Sequence, residues 1–234
     1  EYNLDHVNAG KTLFDLYKLT GKEKYRRAMD TVYSQLKEQP RTSTGNFWHK
    51  KIYPHQIWLD GLYMAQPFYM QYEAEYNGCK NCEDSYQQFL QVYGRMRDPL
   101  NGLYYHAYDD SRQMFWCDKV PGLSENFWRR AMGWYAMALI DTMEVMPESM
   151  ACQKARLNAI YKELIDAMLP YQDQATGMWY QVVNRGGIAP NYLEESGSAI
   201  FAYAIMKSVR LHYLPEEYFK YGQKAFDGIC STYL

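Results

Sequence analysis

Three loops of similar sequence recur at wide intervals, and they constrain the fold of this chain more than any other feature. They are TGNFWHKK at 44–51, NGLYYHAY at 101–108 and TGMWYQVV at 176–183. Each has Thr or Asn, then Gly, one variable residue, two aromatic residues and a polar residue. The Gly can adopt the positive φ of a tight turn, and the aromatic pair predicts a short extended piece. The repeat indicates one structural unit that occurs three times.

Helices of two kinds are predicted around these loops. Apolar helices with few charges, which indicate burial on nearly all sides, are predicted over roughly 56–75, 124–146 and 192–212. Amphipathic helices are predicted over roughly 22–38, 83–97, 150–169 and 215–234, with a first helix at about 4–19. No run of alternating apolar and polar residues predicts a sheet. We therefore expect an all-α fold in which inner and outer helices alternate.

Repeated helical hairpins can stack as an open solenoid or close into a toroid around a central cleft. The nearly apolar inner helices favour closure. A toroid of six hairpins has about twelve helices, and the eight predicted helices correspond to about two-thirds of that number. We expect residues 1–234 to form a single α/α-barrel domain that is part of a longer barrel.

The composition limits the kinds of molecule that this protein is expected to bind. Hydrophobic residues make up 47% and charged residues 22%, and no apolar run is long enough for a membrane span. The net charge of −2 gives no general attraction to nucleic acid or to an anionic membrane. Aromatic residues reach 17% and often stand beside polar ones, a combination that suits the faces and hydroxyls of sugar rings. Packing between helices accounts for many of these aromatic residues as well.

The five cysteines offer a single motif, CKNC at 79–82. A zinc site would need two further ligands nearby, and no second CxxC or CxxH supplies them. We expect no metal site, and Cys79 and Cys82 to form either a loop disulfide or two free thiols. The sequence starts without an initiator Met or a signal peptide, and we favour a periplasmic or secreted location over a cytoplasmic one.

Asp60 stands in an otherwise apolar stretch, YPHQIWLDGLYMAQPF at 53–68. A charge buried there without a partner costs several kcal/mol. In a helix over 56–75 the residue lies mid-helix, where Asp has a poor propensity and no cap to make. We therefore expect Asp60 to have a functional role.

Other polar residues share a rim with Asp60 if the aromatic loops and the starts of the inner helices lie at one end of the fold. Four of the five histidines are among them. The candidates are Asp5, His6, His49, His55, His106, Asp118, Arg130 with Trp134, Glu194 and Glu195.

Structural roles compete with functional ones at several of these positions. Asp5 could be the N-cap of the first helix, and Glu194 and Glu195 could occupy favourable first-turn positions. Arg130 shares a helix face with Trp134, whereas the preceding Arg can point outward. Arg130 could bind a carboxylate of a ligand or form a salt bridge to an inner Asp.

The sequence resembles the unsaturated glycuronyl hydrolases, and most closely the unsaturated rhamnogalacturonyl hydrolases of glycoside hydrolase family 105, which are related to family 88. The resemblance is carried by DHVNAGK, FWHKKIYPHQIWLDGLYMAQPFYMQY, GLYYHAYD, FWRRAMGWYAMALID and EESGSAIFAYAI. It implies an (α/α)6 barrel and a catalytic domain over residues 1–234. The form WRRAMGW stands where many relatives have an RGNGW-like form, and this difference bears on substrate preference.

The same resemblance implies roles for individual residues. Asp60 matches the catalytic general acid and base, and Asp5 matches a second aspartate of the pocket. Contacts with the unsaturated uronate are implied for His49, His106, Arg130, Trp134 and Trp128.

The implied reaction releases terminal 4,5-unsaturated galacturonic acid from unsaturated rhamnogalacturonan oligosaccharides during pectin degradation, without a metal or cofactor. It needs Asp60 protonated for part of the time, and burial by Trp58 and Leu62 and repulsion from Asp5 would raise its pKa. Arg130 or a protonated His would hold the substrate carboxylate.

Two alternatives to this reaction stay open. One is a glucuronyl hydrolase acting on glycosaminoglycan or ulvan-type oligosaccharides. The other is a non-catalytic helical-repeat protein that binds sugar or serves as a scaffold.

Overall fold

Helices account for most of the computed structural model, which describes residues 2–233. They are α1 (Asp5–Asn8), α2 (Lys11–Thr20), α3 (Glu23–Glu38), α4 (Leu59–Tyr76), α5 (Cys82–Met96), α6 (Arg129–Val145), α7 (Ala151–Met168), α8 (Glu195–Arg210) and α9 (Phe219–Tyr233). Short 3₁₀ helices cover Glu148–Met150, Leu169–Tyr171, Val183–Arg185 and Glu216–Tyr218. Two strands, β1 (Gln56–Trp58) and β2 (Ala107–Asp109), lie in the connections.

The inner layer consists of α4, α6 and α8, with α6 packed between the other two. Helix α6 is buried on most of its surface, and it approaches α8 closely at Gly133. A Cβ at that position would lie 2.8 Å from Ile200 Cγ2. The outer helices α5, α7 and α9 bury one face each against this layer, as their amphipathic sequences require. The three predicted inner helices are confirmed.

The three aromatic loops also have the predicted conformation. Gly45, Gly102 and Gly177 all have positive φ, at 97°, 76° and 71°. The aromatic residue Phe47 pairs across its loop with Arg41, and Tyr104 pairs with Arg97, each through an isolated β-bridge. The repeated sequence therefore corresponds to a repeated turn.

Two predictions of local structure are wrong. The first helix is divided at residues 9–10 into α1 and α2, and Gly10 packs so closely on α4 that a Cβ there would lie 2.8 Å from the Phe68 ring. The second error concerns the start of α4. Residues 56–58 form β1, which pairs antiparallel with β2, and the helix begins only at Leu59. Asp60 therefore lies in the first turn of α4 and not in the middle of a helix.

A disulfide links Cys79, in the connection after α4, to Cys82, the first residue of α5, which decides between the two alternatives for this motif. Within residues 2–233, no helix combines the length and the apolar character that crossing a membrane requires.

Candidate active site

Asp60 is positioned by strand pairing rather than by its own helix. Strand β1 leads directly into α4, and the backbone N–H of Leu59 donates to the carbonyl of His106 over 3.0 Å. This bond joins the start of α4 to the second aromatic loop. Asp60 is half-buried, and its Oδ2 atom is buried and has no hydrogen-bond partner among residues 2–233.

The surroundings of Asp60 favour the protonated carboxyl. The pKa of Asp60 is raised from 3.8 to about 6, chiefly by burial and to a smaller extent by the negative charge of Asp5. The backbone N–H of Asp60 and the positive charges of Arg130 and Lys50 act in the opposite direction. With a pKa near 6, roughly one-tenth of the molecules carry a protonated Asp60 at pH 7. Both of the causes expected from the sequence, desolvation and repulsion from Asp5, are present.

Asp5 lies in the first turn of α1 and contacts two residues of the first aromatic loop. Lys50 Nζ is 2.6 Å from Asp5 Oδ2, and His49 Nε2 is 3.3 Å from Asp5 Oδ1. The expectation that Asp5 could be an N-cap is wrong, since Leu4 occupies that position and no side chain caps the helix. Lys50 was not among the residues singled out in the sequence, although it directly follows His49.

His49 is a buried, neutral side chain. Its ring stacks on Trp58 with centroids 4.7 Å apart and an interplanar angle of 12°. Burial lowers the pKa of His49 to about 4, despite the opposing effect of Asp5. Its Nδ1 atom lies against Gly61, where a Cβ would come within 2.8 Å. The glycine after Asp60 therefore makes room for this imidazole.

His106 forms the opposite side of the site with two tryptophans. The Trp128 ring meets His106 edge-on at 5.7 Å and 88°, and the Trp116 ring lies 6.3 Å away. Burial lowers the pKa of His106 to about 4. Both imidazoles of the site are therefore neutral at pH 7, which argues against a protonated His as the group that holds a substrate carboxylate.

Arg130 provides a positive charge close to Asp60. Its guanidinium lies 4.7 Å from the Trp128 ring centroid, and its Nη1 atom is 3.9 Å from Glu194 Oε1. The side chain is 39% exposed, whereas its buried Nε atom lacks a hydrogen-bond partner within the described part of the chain. The positive charge of Arg130 lowers the pKa of Asp60, and the helices that carry the two residues, α6 and α4, pack against each other.

An aromatic wall lies one helical turn further along α4 and α6. Trp134 and Tyr63 pack with centroids 5.0 Å apart and an interplanar angle of 30°. The Lys11 ammonium lies 3.3 Å from the Tyr63 ring centroid on the side of α2. Rings in this arrangement present an apolar surface beside the charged residues of the rim.

Arg129 has the opposite orientation to the one expected. It is fully buried and forms an ion pair with Glu194, while its Nη1 atom donates to Ser198 Oγ over 3.0 Å. Glu194 is the N-cap of α8 and accepts from the N–H of Gly197. A Cβ at Gly197 would lie 2.7 Å from Arg129 Nη1. The buried cap carboxylate draws Arg129 inward and leaves the next arginine at the rim.

Four other candidates from the sequence, namely His6, His55, Asp118 and Glu195, are exposed. His55 packs on Trp48 at 4.5 Å. The described residues contain no cluster of three or more His, Cys, Asp or Glu placed to hold a metal ion.

The structure thus brings together Asp60, Asp5, His49, His106, Arg130, Trp128 and Trp134 at one end of the inner helices. An acid of raised pKa, a cation and several aromatic rings form a site able to bind an anionic sugar and to exchange a proton with it.

The chain is similar in sequence to several known proteins. Protein Atu3128 of Agrobacterium fabrum is 36% identical over 175 residues, which cover 73% of this chain and 73% of that protein. The unsaturated rhamnogalacturonyl hydrolase YesR of Bacillus subtilis is 29% identical over 239 residues, which cover 98% of this chain and 63% of that protein.

A solved structure of a Clostridium acetobutylicum glycoside hydrolase from family 105 matches with a TM-score of 0.95 at 46% sequence identity. The match covers 99% of this chain and 64% of that chain, so the chain spans somewhat less than two-thirds of that relative. The predicted fold class, an (α/α)6 barrel, is confirmed. Residues 1–233 match Glycosyl Hydrolase Family 88, and the chain belongs to that family.

Proposed function

We propose that this protein hydrolyses oligosaccharides with an unsaturated uronic acid at the non-reducing end, and that its substrate is an unsaturated rhamnogalacturonan fragment. The released uronic acid would be a 4-deoxy-5-keto acid, because the addition of water consumes the C4–C5 double bond. The observation that carries this proposal is the buried Asp60 carboxyl with a pKa of about 6, beside the cationic Arg130. Family membership supports the class of reaction, and the 29% identity to a rhamnogalacturonyl hydrolase supports the choice of substrate.

The chemistry begins at the C4–C5 double bond, a vinyl ether. The protonated carboxyl of Asp60 donates its proton to C4, and positive charge develops at C5, where the ring oxygen shares it. Water then adds at C5 and gives its proton back to the Asp60 carboxylate. The resulting hemiketal opens, and the rest of the saccharide leaves. One carboxyl group serves both proton transfers, unlike the pair of carboxyl groups in ordinary glycosidases.

Burial of Asp60 suits this cycle, since a carboxyl with a pKa near the working pH can both donate and accept a proton. Asp5 keeps the pKa high through its negative charge. Lys50 lies 2.6 Å from Asp5 and moderates that effect. Burial is the largest cause of the raised pKa of Asp60, and these two charges adjust that pKa in opposite directions.

Substrate recognition falls to the remaining residues of the rim. Arg130 binds the uronate carboxylate, because its guanidinium is exposed at the site and always charged. Trp128 and Trp134 stack against the sugar ring. His49 and His106 are neutral and can exchange hydrogen bonds with hydroxyl groups without repelling Arg130.

A panel of unsaturated disaccharides tests the proposal. Loss of the ultraviolet absorbance of the double bond reports turnover, with rhamnogalacturonan, chondroitin and ulvan disaccharides assayed in parallel at equal concentration. We expect the highest kcat/KM for the galacturonyl-rhamnose disaccharide. A higher value for a glucuronyl substrate would assign the protein to that class, and binding of every disaccharide without turnover would support a sugar-binding protein.

A further inference from the structure

A small cavity lies behind His49, on the side of the imidazole that faces the start of α4. About 10 Å³ of it is open to the centre of a water molecule. Its polar lining comprises His49, Asn46, Gln66 and Gln88, which are all at most 3% exposed, and Gly61 lies among the lining residues as well. A cavity of this size can hold one water molecule if it offers at least two polar partners.

The Nδ1 atom of His49 is the first of these partners. A neutral imidazole carries one N–H group and one bare nitrogen. His49 Nε2 lies 3.3 Å from Asp5 Oδ1, and the Asp5 carboxylate, which pairs with Lys50, can only accept. The proton of His49 is therefore on Nε2, and Nδ1 is a buried acceptor with no partner among residues 2–233. Nδ1 is on the cavity side, since a Cβ at Gly61 would lie 2.8 Å from it.

The Oδ1 atom of Asn46 is the second partner. The amide nitrogen of Asn46 is 3.1 Å from the backbone carbonyl oxygen of Gln88 and 3.4 Å from Gln88 Oε1. Because both of these groups accept, the nitrogen of Asn46 must face them and its oxygen must lie on the other side. That oxygen is also buried and unpaired within the described part of the chain. Two buried acceptors therefore belong to one cavity, and a water molecule has the two O–H groups that they need.

We propose that one buried water molecule bridges His49 Nδ1 and Asn46 Oδ1, and that Asn46 is thereby a positioning residue of the active site. The water satisfies Nδ1 and polarises the imidazole, so that Nε2–H donates more strongly to Asp5. Without this water, the unpaired Nδ1 disfavours the present position of the ring, and Asp5 is free to turn towards Lys50. The inference rests on the proposed function, since its consequence for catalysis assumes that Asp60 is the acid and base.

Asp5 connects the cavity to the acid. The charged groups that act on Asp60 are Asp5 on α1, Lys50 in the first aromatic loop and Arg130 on α6. Asp5 raises the pKa of Asp60, so that pKa falls if Asp5 turns away. His49 stays largely neutral above pH 5, because burial lowers its pKa to about 4. Lost positioning should therefore move the alkaline decline of kcat/KM to lower pH, whereas a general structural defect lowers kcat/KM equally at every pH.

The wild-type protein tests the water molecule without any substrate. A crystal structure in which waters are resolved should show density within hydrogen-bonding distance of His49 Nδ1 and Asn46 Oδ1. Nitrogen NMR spectra of histidine-labelled protein, assigned with His49→Gln, should show His49 protonated on Nε2 and accepting a hydrogen bond at Nδ1. A cavity without density, or a proton on Nδ1, would overturn the proposal. Because neither measurement involves turnover, a failure of the proposed function would be recognised separately.

Asn46→Leu tests the role of Asn46, because it removes the acceptor and keeps the approximate shape of the side chain. Thr42→Val is the matched control, since Thr42 lies in the same connection, is 5% exposed and is outside the cavity. We expect Asn46→Leu to lower the ratio of kcat/KM at pH 8 to kcat/KM at pH 5 about threefold, a shift of about half a pH unit. Thr42→Val should leave this ratio unchanged. An unchanged ratio in folded Asn46→Leu, or an equal change in both variants, would contradict the assignment of Asn46.

Discussion

Replacing Asp60 by Asn is expected to make the protein more stable at neutral pH while removing its activity. The folded-state pKa of Asp60, about 6, lies above the ordinary value of 3.8. The folded state therefore disfavours the ionised carboxyl. Above pH 6, folding either buries the negative charge of Asp60 or requires Asp60 to take up a proton, and both cost free energy. An Asn amide has a similar shape and no charge to desolvate.

The size of the effect follows from the same shift. A pKa raised from 3.8 to about 6 corresponds to a free-energy cost of about 3 kcal/mol for the ionised form in the folded state. The cost is absent below about pH 3, where the carboxyl is protonated in both states. It grows as the pH rises from about 3 to 7 and is constant above about pH 7. The stability gained by Asp60→Asn should have this same pH dependence.

Denaturant unfolding of the wild-type protein and the variant at pH 4, 5, 6 and 7 measures this gain. Asp15→Asn is the matched control, because Asp15 is an exposed aspartate on helix α2. We expect the difference in free energy of unfolding for Asp60→Asn to rise from about 0.5 kcal/mol at pH 4 to about 3 kcal/mol at pH 7. A variant that is less stable than wild type at pH 7, or a difference independent of pH, would refute the reasoning.

The remaining predictions concern the charges around the site. Arg130→Ala should raise KM about tenfold or more with a smaller change in kcat, and steady-state kinetics with an unchanged KM would rule out a carboxylate clamp. Asp5→Asn removes the negative charge that raises the pKa of the candidate acid, so the decline of kcat/KM at alkaline pH should begin at a lower pH; a pH–rate profile that does not move contradicts this. Glu194→Gln leaves Arg129 buried without its anion and should lower the free energy of unfolding by about 3–5 kcal/mol, whereas exposed Glu195→Gln should change it by less than about 0.5 kcal/mol. Equal free energies of unfolding for these two variants would show that the ion pair between Arg129 and Glu194 does not stabilise the fold.

The sequence was sufficient for features that depend on local patterns. A helix that is apolar on nearly all sides must be buried, so the inner helices could be predicted from the sequence before any contact was known. The glycines at 45, 102 and 177 predicted the three turns, since few other residues tolerate the positive φ that these turns require. The apolar residues on either side of Asp60 were enough to predict a functional role for it.

Features that depend on distant contacts could not be read in this way. Strand β1 exists because residues 56–58 pair with 107–109, and this pairing moved the start of α4 past the predicted position. Arg129 and Arg130 are consecutive and chemically identical, and the choice between them is made by Glu194, 65 residues later in the sequence. The neutral state of His49 and His106 follows from burial that only the folded chain creates.

Turnover of the unsaturated galacturonyl-rhamnose disaccharide by Asp60→Asn tests the central claim most directly. The wild-type protein and the variant are compared at equal concentration by the loss of ultraviolet absorbance, with circular dichroism to verify that the variant is folded. If Asp60 is the acid and base, the variant should retain less than about one-hundredth of wild-type kcat/KM, as is usual when such a group is lost. A folded variant that retains more than several per cent of the activity would contradict the assignment of Asp60.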